Sequence, residues 1–309
     1  MITILKTAEN KLNKIPQVAD GAWINVVNPS ALEIEETYGM GIPLDFITYS
    51  LDQDERPRTE KESGATLLLH RIPYYQGDTE DIPYRTVPLG IILCFDYIIT
   101  VCKFEVPFLK QQIAKLGQYF SANKRNRCIL QILLAVANQY LAAVRVINKK
   151  VGQIEDELHK SIQNKEVLEL LKFQKSLELF STALKSNELV FEKLQRSRFF
   201  ATFPEDTDLL EDVITENQQA LEMTMIAGNL LSQMMDAFAS IISNNQNQVI
   251  KVLTSVTIIL SLPTLISSFY GMNLALPLQG ANLGYLVIAS LSVAVMGLAG
   301  LFFRKMNWL

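Results

Sequence analysis

The chain has no charge in one long region and very few cysteines or histidines anywhere. Val252–Phe303 contains no Asp, Glu, Lys or Arg, so every charged side chain lies before or after it. Only three cysteines and two histidines occur among 309 residues. An odd number of thiols is a poor disulfide framework, and no pair has the spacing of a metal site. Cys94, Cys102 and Cys128 are therefore predicted to be core residues.

The composition and motifs also exclude several classes of function. Lys and Arg number 28 against 32 Asp and Glu, which leaves a net charge of -4 and argues against nucleic-acid binding. The chain has no glycine-rich phosphate loop and no setting for a nucleophilic triad, so we expect neither an enzyme nor an organic cofactor. His70, in the apolar run LLLHRIP, is predicted to be a satisfied core or surface histidine rather than a catalytic base.

The uncharged region is long enough for two membrane crossings. A bilayer core requires roughly 20 apolar residues per helix. The region divides into a first span at about 251–270, a polar or turn-prone loop at 271–282, and a second span at 283–303. Met1–Asn10 lacks an apolar export segment, and Lys251, Arg304 and Lys305 flank the spans. We therefore expect a plasma or inner membrane protein with both termini, including the basic tail 304–309, in the cytoplasm and the loop outside.

The charged part of the chain precedes the membrane and predicts an α+β cytoplasmic domain followed by long helices. Residues 1–104 are predicted to form a mixed α/β unit and residues 105–206 a helical hairpin. Residues 207–270 are predicted to form a stalk helix that continues into the first span. A helix is predicted at Ala31–Tyr38, and the charged stretch Asp52–Ser63 is predicted to be a solvated loop or helix end. The predicted strands are Trp23–Val27, Thr66–Arg71, Val87–Phe95 and Tyr97–Lys103.

The first span carries an unusual stripe of hydroxyl groups at helical spacing. One interpretation is that each hydroxyl bonds a carbonyl one turn back and lets helices pack closely. The other is that the stripe lines a pore, where neutral oxygens face a hydrated or partly hydrated dication, since Mg²⁺ releases its water reluctantly. Two crossings per chain cannot enclose such a pore, so it requires a ring of subunits. The stripe consists of Asn247, Ile250, Leu253, Thr257, Ser261, Thr264 and Ser268.

The end of this span resembles a known family. Tyr270, Gly271, Met272 and Asn273 close a proline-containing span, a second span follows, and the chain ends in Trp308–Leu309. This arrangement resembles the CorA family of magnesium transporters, whose signature is the Gly-Met-Asn triplet. Asn247–Thr254, Asp236 and Trp23–Asn25 extend the resemblance along the chain. It implies a funnel-shaped homopentamer in the lipid bilayer that admits Mg²⁺ down its electrochemical gradient.

The resemblance also implies roles for particular residues. Gly271, Met272 and Asn273 would form the selectivity filter, in which the Asn273 ring selects a hydrated Mg²⁺ and Gly271 lets the chain turn. Thr257, Ser261, Thr264, Ser268 and Asn247 would line the pore, and Ile250 and Leu253 would form a hydrophobic gate.

A regulatory divalent ion, held between subunits, is also implied. Asp212 matches the stalk carboxylate of that site, with Glu211, Asp45 and Asp52 as further candidates. Where the family pattern expects the partner acid, however, this chain has Thr48 and Tyr49.

Two other interpretations are open. A relative in the same superfamily could move Zn²⁺, Co²⁺ or Ni²⁺, although no histidine or cysteine lies in the membrane region and Met272 is intact. A membrane-tethered cytoplasmic scaffold or sensor would need neither Asn273 nor the hydroxyl stripe. The order of ion preference is open at this point.

Overall fold

A computed structural model describes most of the chain. It covers residues 1–8, 11–95, 97–116, 125–160, 164–200, 203–273, 276–277 and 283–309. The chain divides into two compact units, Met1–Met234 and Met235–Leu309. The long helix α6, Pro204–Tyr270, begins in the first unit and ends in the second.

The described part of the first unit contains a seven-stranded mixed sheet in the order β2-β1-β3-β7-β6-β5-β4. The pairing of β3 with β7 is parallel, and the other pairings are antiparallel. The strands are β1 Ile2–Ala8, β2 Lys11–Lys14, β3 Trp23–Val27, β4 Arg58–Glu62, β5 Ala65–Tyr75, β6 Tyr84–Cys94 and β7 Tyr97–Cys102.

The four predicted strands are confirmed as β3, β5, β6 and β7, but the prediction for Asp52–Ser63 is wrong in part. Arg58–Glu62 forms the edge strand β4, which pairs with β5 from Arg58↔Leu69 to Glu62↔Ala65. Its charges suit an edge, because charged side chains discourage pairing with another sheet. Arg58 Nε lies 3.0 Å from Glu60 Oε2, so two of these charges also neutralise each other along the strand.

Helices cover both faces of the sheet and continue beyond it. The predicted helix at Ala31–Tyr38 is confirmed as α1, and it begins with a capping box between Ser30 and Glu33. The predicted hairpin is confirmed as α4 and α5, which pack against each other. The helices are α1 Ala31–Gly39, α2 Leu44–Leu51, α3 Pro107–Leu116, α4 Arg125–Lys160, α5 Asn164–Arg196, α6 Pro204–Tyr270 and α7 Gly284–Lys305.

One face of the sheet packs on α2. Ile92, Ile99 and Val101 are buried there together with Phe46 and Ile47 of the helix. Gly90 allows this close approach, because a Cβ at that position would lie 1.8 Å from Ser50 Oγ of α2. The alternation of strand side chains therefore builds one core layer between β5, β6, β7 and the short helix.

The opposite face of the sheet packs on α4 and α5. His70 of β5 is fully buried and stacks on Phe191 of α5 with ring centroids 5.0 Å apart. Tyr140 of α4 meets Phe180 of α5 edge to face at 5.0 Å. Cys94, Cys102 and Cys128 are all buried and free, which confirms their prediction as core residues.

The first half of α6 buries a narrow seam, and its second half does not. The buried residues recur at alternating spacings of four and three, as in a heptad pattern. They are Leu210, Val213, Asn217, Ala220, Thr224, Ala227 and Leu231. From Ala239 to Thr254, by contrast, every side chain except that of Ile242 is exposed. Apart from Lys251, this second stretch presents apolar and uncharged polar side chains, and none of the described elements covers them.

Candidate functional site

The hydroxyl stripe of α6 lines a shallow groove in the second unit. The groove has a volume of about 760 Å³. It brings together four of the predicted pore residues with Met272 of the triplet. Its lining consists of Thr257, Leu260, Ser261, Thr264, Leu265, Ser268, Phe269 and Met272. No charged side chain contributes to it, so the polar surface that the groove offers is neutral.

Three of these hydroxyl groups donate to the backbone of their own helix. Thr257 Oγ1 donates to Leu253 O at 2.8 Å, and Thr264 Oγ1 donates to Leu260 O at 3.1 Å. Ser261 Oγ donates to Ile258 O at 2.9 Å. The carbonyl bonding expected in the first interpretation of the stripe is therefore confirmed for these three residues. Each oxygen still has lone pairs after this donation, and all three side chains are exposed, so each can accept a hydrogen bond from water.

The Gly-Met-Asn triplet follows directly after α6. Gly271 N donates to Ser267 O at 2.9 Å, and Met272 N donates to Phe269 O at 3.2 Å, which closes the helix end. Asn273 is exposed. The φ of Gly271 is not in the left-handed region, so the turn observed here does not require glycine for its backbone conformation.

The remainder of the predicted stripe lies outside this groove. Ile250 and Leu253 are 58% and 65% exposed. Leu253 lines a more apolar groove of about 580 Å³ with Val249, Val252 and Val256. Asn247 lies in a third, more polar groove of about 410 Å³. That groove is lined by Ser240, Ile241, Ser243, Asn244 and Asn247.

Ser240, Ser243 and Asn244 were not predicted as site residues, although they line the groove at Asn247. A signal was present, because Ser240, Ser243 and Asn247 continue the spacing of three and four residues that relates the hydroxyl groups nearer the C-terminal end of the helix. The polar surface beside Asn247 is therefore larger than predicted, and the exposed Ile250 and Leu253 separate it from the hydroxyl groove.

The four acidic candidates for a regulatory ion lie on two separate elements. Asp45 is in the first turn of α2, and Asp52 is its C-cap residue. Glu211 and Asp212 lie on α6, and all four side chains are exposed. In the part of the chain that the structure describes, no three His, Cys, Asp or Glu residues converge as a metal-holding group.

Three of the described helices are long and apolar enough to cross a bilayer. They are α4, over Arg125–Leu158, and the helices α6 and α7. The most apolar window of α4 is 56% buried within the fold, against 6% for α6 and 11% for α7. The apolar surface of α4 is thus used by α5 and the sheet, whereas that of α6 and α7 is available to lipid or to other chains. Most of the predicted external loop, residues 274–275 and 278–282, lies outside the described residues.

A sequence model of the family described as CorA-like Mg²⁺ transporter protein matches residues 19–305. The chain belongs to this family. The match includes strands β3 to β7 of the sheet, the helical hairpin, α6 and α7. Members of the CorA family are magnesium and cobalt transporters of membranes, and they are not enzymes.

Curated relatives and solved structures agree with the family along nearly the whole chain. The cobalt/magnesium transport protein CorA of Methanocaldococcus jannaschii is 26% identical over 298 residues, which are 93% of this chain and 91% of that protein. The corresponding protein of Thermotoga maritima is 22% identical over 93% of this chain and 83% of its own length. The complete structure of the M. jannaschii CorA magnesium transporter has a TM-score of 0.85 at 23% identity and covers 100% of this chain and 99% of that one. The fold is therefore that of CorA.

Proposed function

We propose that the protein is a divalent-cation channel that mediates Mg²⁺ influx through a homopentameric pore lined by α6. Mg²⁺ is the cargo in this proposal. The observation that carries it is the neutral hydroxyl groove of α6, which extends from Thr257 to Met272 and ends beside the exposed Asn273. A simple membrane tether does not require such a groove.

Neutral oxygen ligands suit this ion. Mg²⁺ keeps several of its waters when it binds to proteins, so a ring of amide and hydroxyl oxygens can contact the hydration shell rather than the bare ion. The Thr257 and Thr264 oxygens accept from water while they donate to the helix backbone. Binding through water is weak enough for release, which conduction requires. Five Asn273 side chains at the outer mouth would provide the selective ring.

Ile250 and Leu253 would form the closed gate of this pore. Both are exposed within one chain, and both lie between the polar groove at Asn247 and the hydroxyl groove. In a ring of five helices these side chains would face each other as an apolar constriction. A narrow apolar constriction blocks ions by excluding water.

The proposed topology has two spans per chain, α6 and α7, with both termini in the cytoplasm. The burial of α4 against the sheet and α5 supports its exclusion from the membrane, and Lys251, Arg304 and Lys305 support the orientation. A dication that enters the cytoplasm then gains roughly 4.6 kcal/mol per 100 mV of membrane potential, twice the single-charge value. Influx needs no other source of energy.

Regulation by a cytoplasmic divalent ion is part of the proposal. The acids of α2 and those of α6 lie on separate elements, which is consistent with a site that two neighbouring subunits complete. Asp212 or Glu211 of one copy would share the ion with Asp45 or Asp52 of the next. Loss of the ion when cytoplasmic Mg²⁺ is low would favour opening.

The test is uptake into liposomes that contain the purified full chain and a Mg²⁺-sensitive dye. We expect saturable Mg²⁺ influx in the wild type and its loss in Asn273→Ala, because the variant lacks the amide oxygen of the selective ring. Asn138→Ala is the matched control, since Asn138 is an exposed amide on α4 that donates to its own helix, at Leu134 O. The control should transport as the wild type does.

The outcomes separate the alternatives. Parallel assays with Zn²⁺ and Co²⁺ that show flux without any Mg²⁺ flux would support a transporter of those metals in the same superfamily. Absence of flux for every metal at either polarity would support the scaffold interpretation. Mg²⁺ influx that persists unchanged in Asn273→Ala would remove the asparagine ring from the mechanism.

A further inference from the structure

We infer that three side chains, Arg71, Asn187 and Asn217, form a relay in which each is hydrogen-bonded to the backbone of a neighbouring element. This relay couples the loop at Asp52–Glu55 to helix α6 and so transmits the regulatory state of the cytoplasmic unit to the pore. This inference rests on the proposed function, because it concerns how that channel is regulated. All of its members lie in the first unit. It connects the two elements that carry the candidate regulatory acids.

The relay begins at Arg71, whose guanidinium holds the loop after α2. Arg71 Nη1 donates to Gln53 O and to Glu55 O, each at 2.9 Å. Its Nε donates to Thr86 Oγ1 at 2.9 Å, and its Nη2 donates to Thr86 O at 2.8 Å. Two backbone carbonyls of the loop are therefore fixed to β6 through one side chain. The exposed carboxylate of Asp52 lies at the start of this loop.

The backbone of Arg71 is hydrogen-bonded to Asn187 of α5. Strand β4 pairs with β5 only as far as Leu69, two residues before Arg71. The Asn187 amide bonds both backbone groups of Arg71: Arg71 N donates to Asn187 Oδ1 at 3.0 Å, and Asn187 Nδ2 donates to Arg71 O at 2.8 Å. Asn187 is 1% exposed. Tyr140 Oη of α4 donates to the same carbonyl at 3.0 Å.

One turn earlier on α5, Leu184 is hydrogen-bonded to α6. Asn217 Nδ2 donates to Leu184 O at 3.2 Å, and Asn217 is 2% exposed. The neighbouring seam position on α6 is Ala220, which cannot form a side-chain hydrogen bond. The hydrogen bond of Asn217 thus fixes the position of α6 along α5, as a single buried asparagine fixes register in a coiled coil.

The burial of Asn187 and Asn217 makes this connection stiff. If the loop moves, Arg71 must move with it or release two carbonyls, and the Asn187 amide must then follow the strand or lose both of its partners. Leaving buried polar groups unpaired is unfavourable, so concerted displacement is favoured over separate displacement. A divalent ion that draws Asp52 towards a neighbouring subunit would therefore shift the α5 turn that holds Asn217.

The experiment is hydrogen–deuterium exchange of the full chain in detergent, with and without Mg²⁺. In the wild type we expect Mg²⁺ to protect both the loop at Asp52–Glu55 and the segment Val213–Thr224 of α6. Asn217→Leu and Asn187→Leu should leave the protection of the loop and abolish that of α6. Asn217→Leu removes one hydrogen bond at similar volume, so it provides the test if Asn187→Leu fails to fold.

Gln218→Ala is the matched control. Gln218 Nε2 donates to Glu188 Oε1 at 3.0 Å, so this exposed contact joins the same two helices next to the relay. The control should keep the Mg²⁺-dependent protection of α6. In transport assays, Asn217→Leu should raise the Mg²⁺ concentration that half-inhibits influx by roughly fivefold or more, with maximal influx retained.

Two results would overturn the relay. One is protection of α6 by Mg²⁺ in Asn217→Leu equal to that in the wild type. The other is a wild type that conducts Mg²⁺ but shows no Mg²⁺-dependent protection at either element. With this second result the proposed transport function stands and the relay fails. A wild type without Mg²⁺ flux, by contrast, contradicts the proposed function itself.

Discussion

At the scale of single residues, His70 shows how burial determines the chemistry of a titratable group. The sequence places it in an apolar run, and the structure buries it completely between β5 and α5. Burial lowers the pKa of His70 to about 4, because the charged imidazolium would lose its hydration. The predicted core position is therefore confirmed, but the prediction of a satisfied ring is not, because neither ring nitrogen has a hydrogen-bond partner among the described residues.

The lowered pKa of His70 predicts a pH-dependent stability. The unfolded chain binds this proton below about pH 6.5 and the folded chain only below about pH 4. The contribution to stability is therefore fully present above about pH 6.5 and is lost as the pH falls towards 4, by about 3 kcal/mol in total. Thermal unfolding of the full chain in detergent should show this acid sensitivity in the wild type and less of it in His70→Phe. Equal acid sensitivity in the two proteins would assign the effect to other groups.

At the scale of elements, periodicity decided which helices and strands the sequence could predict. The apolar residues of α4 and α5 recur every three or four positions over more than 30 residues, so their helical state was evident. Helix α2, with the sequence LDFITYSL, was missed because it is short and rich in residues that favour strands. Strand β4 was missed because its alternating charges resemble a loop, and only the pairing with β5 makes it a strand.

The start of α6 is held by an ion pair that the sequence alone could not indicate. Arg127 of α4 bonds Glu205, and Arg127 Nε lies 3.4 Å from Asp206 Oδ1. Asp206 is 3% exposed, so its carboxylate depends on this partner and on the helix N-terminus. Arg127 is far in sequence from Glu205 and Asp206, and only the packing of α4 beside the start of α6 brings it close to them.

Removal of Arg127 should therefore destabilise the first unit. Arg127→Ala leaves a buried carboxylate with fewer partners, which we expect to cost about 1–3 kcal/mol of folding free energy. Arg127→Lys should recover part of the loss. The control is Arg196→Ala, which breaks an exposed pair with Glu192 on α5, at 3.1 Å, and should have little effect. Thermal unfolding of the three variants checks the order, and equal stability of Arg127→Ala and the wild type would contradict it.

At the scale of the whole molecule, the sequence predicted which hydroxyl groups share one face of α6, but it could not rank the candidate regulatory acids. The face could be predicted because it lies on one helix, where the spacing of three and four residues determines which side chains are neighbours. The candidate acids for a regulatory ion could not be ranked, because Asp45 and Asp52 lie on or next to α2 and Glu211 and Asp212 lie on α6. In the proposed pentamer their partners would depend on packing between copies, which no local pattern encodes.

The proposed gate gives a prediction for the assembled channel. A polar side chain at Leu253 would hydrate the apolar constriction, so Leu253→Ser should raise basal Mg²⁺ influx and make it less sensitive to inhibition by cytoplasmic Mg²⁺. Val252→Ser is the control, because successive helical residues point about 100° apart and Val252 thus faces away from the stripe. Both residues line the same apolar groove and are exposed in one chain, 65% for Leu253 and 39% for Val252, so a general effect of a serine in this groove would appear in both variants. Increased influx in Leu253→Ser alone supports a gate of five converging Leu253 side chains, whereas equal behaviour of the two variants would place the constriction elsewhere on α6.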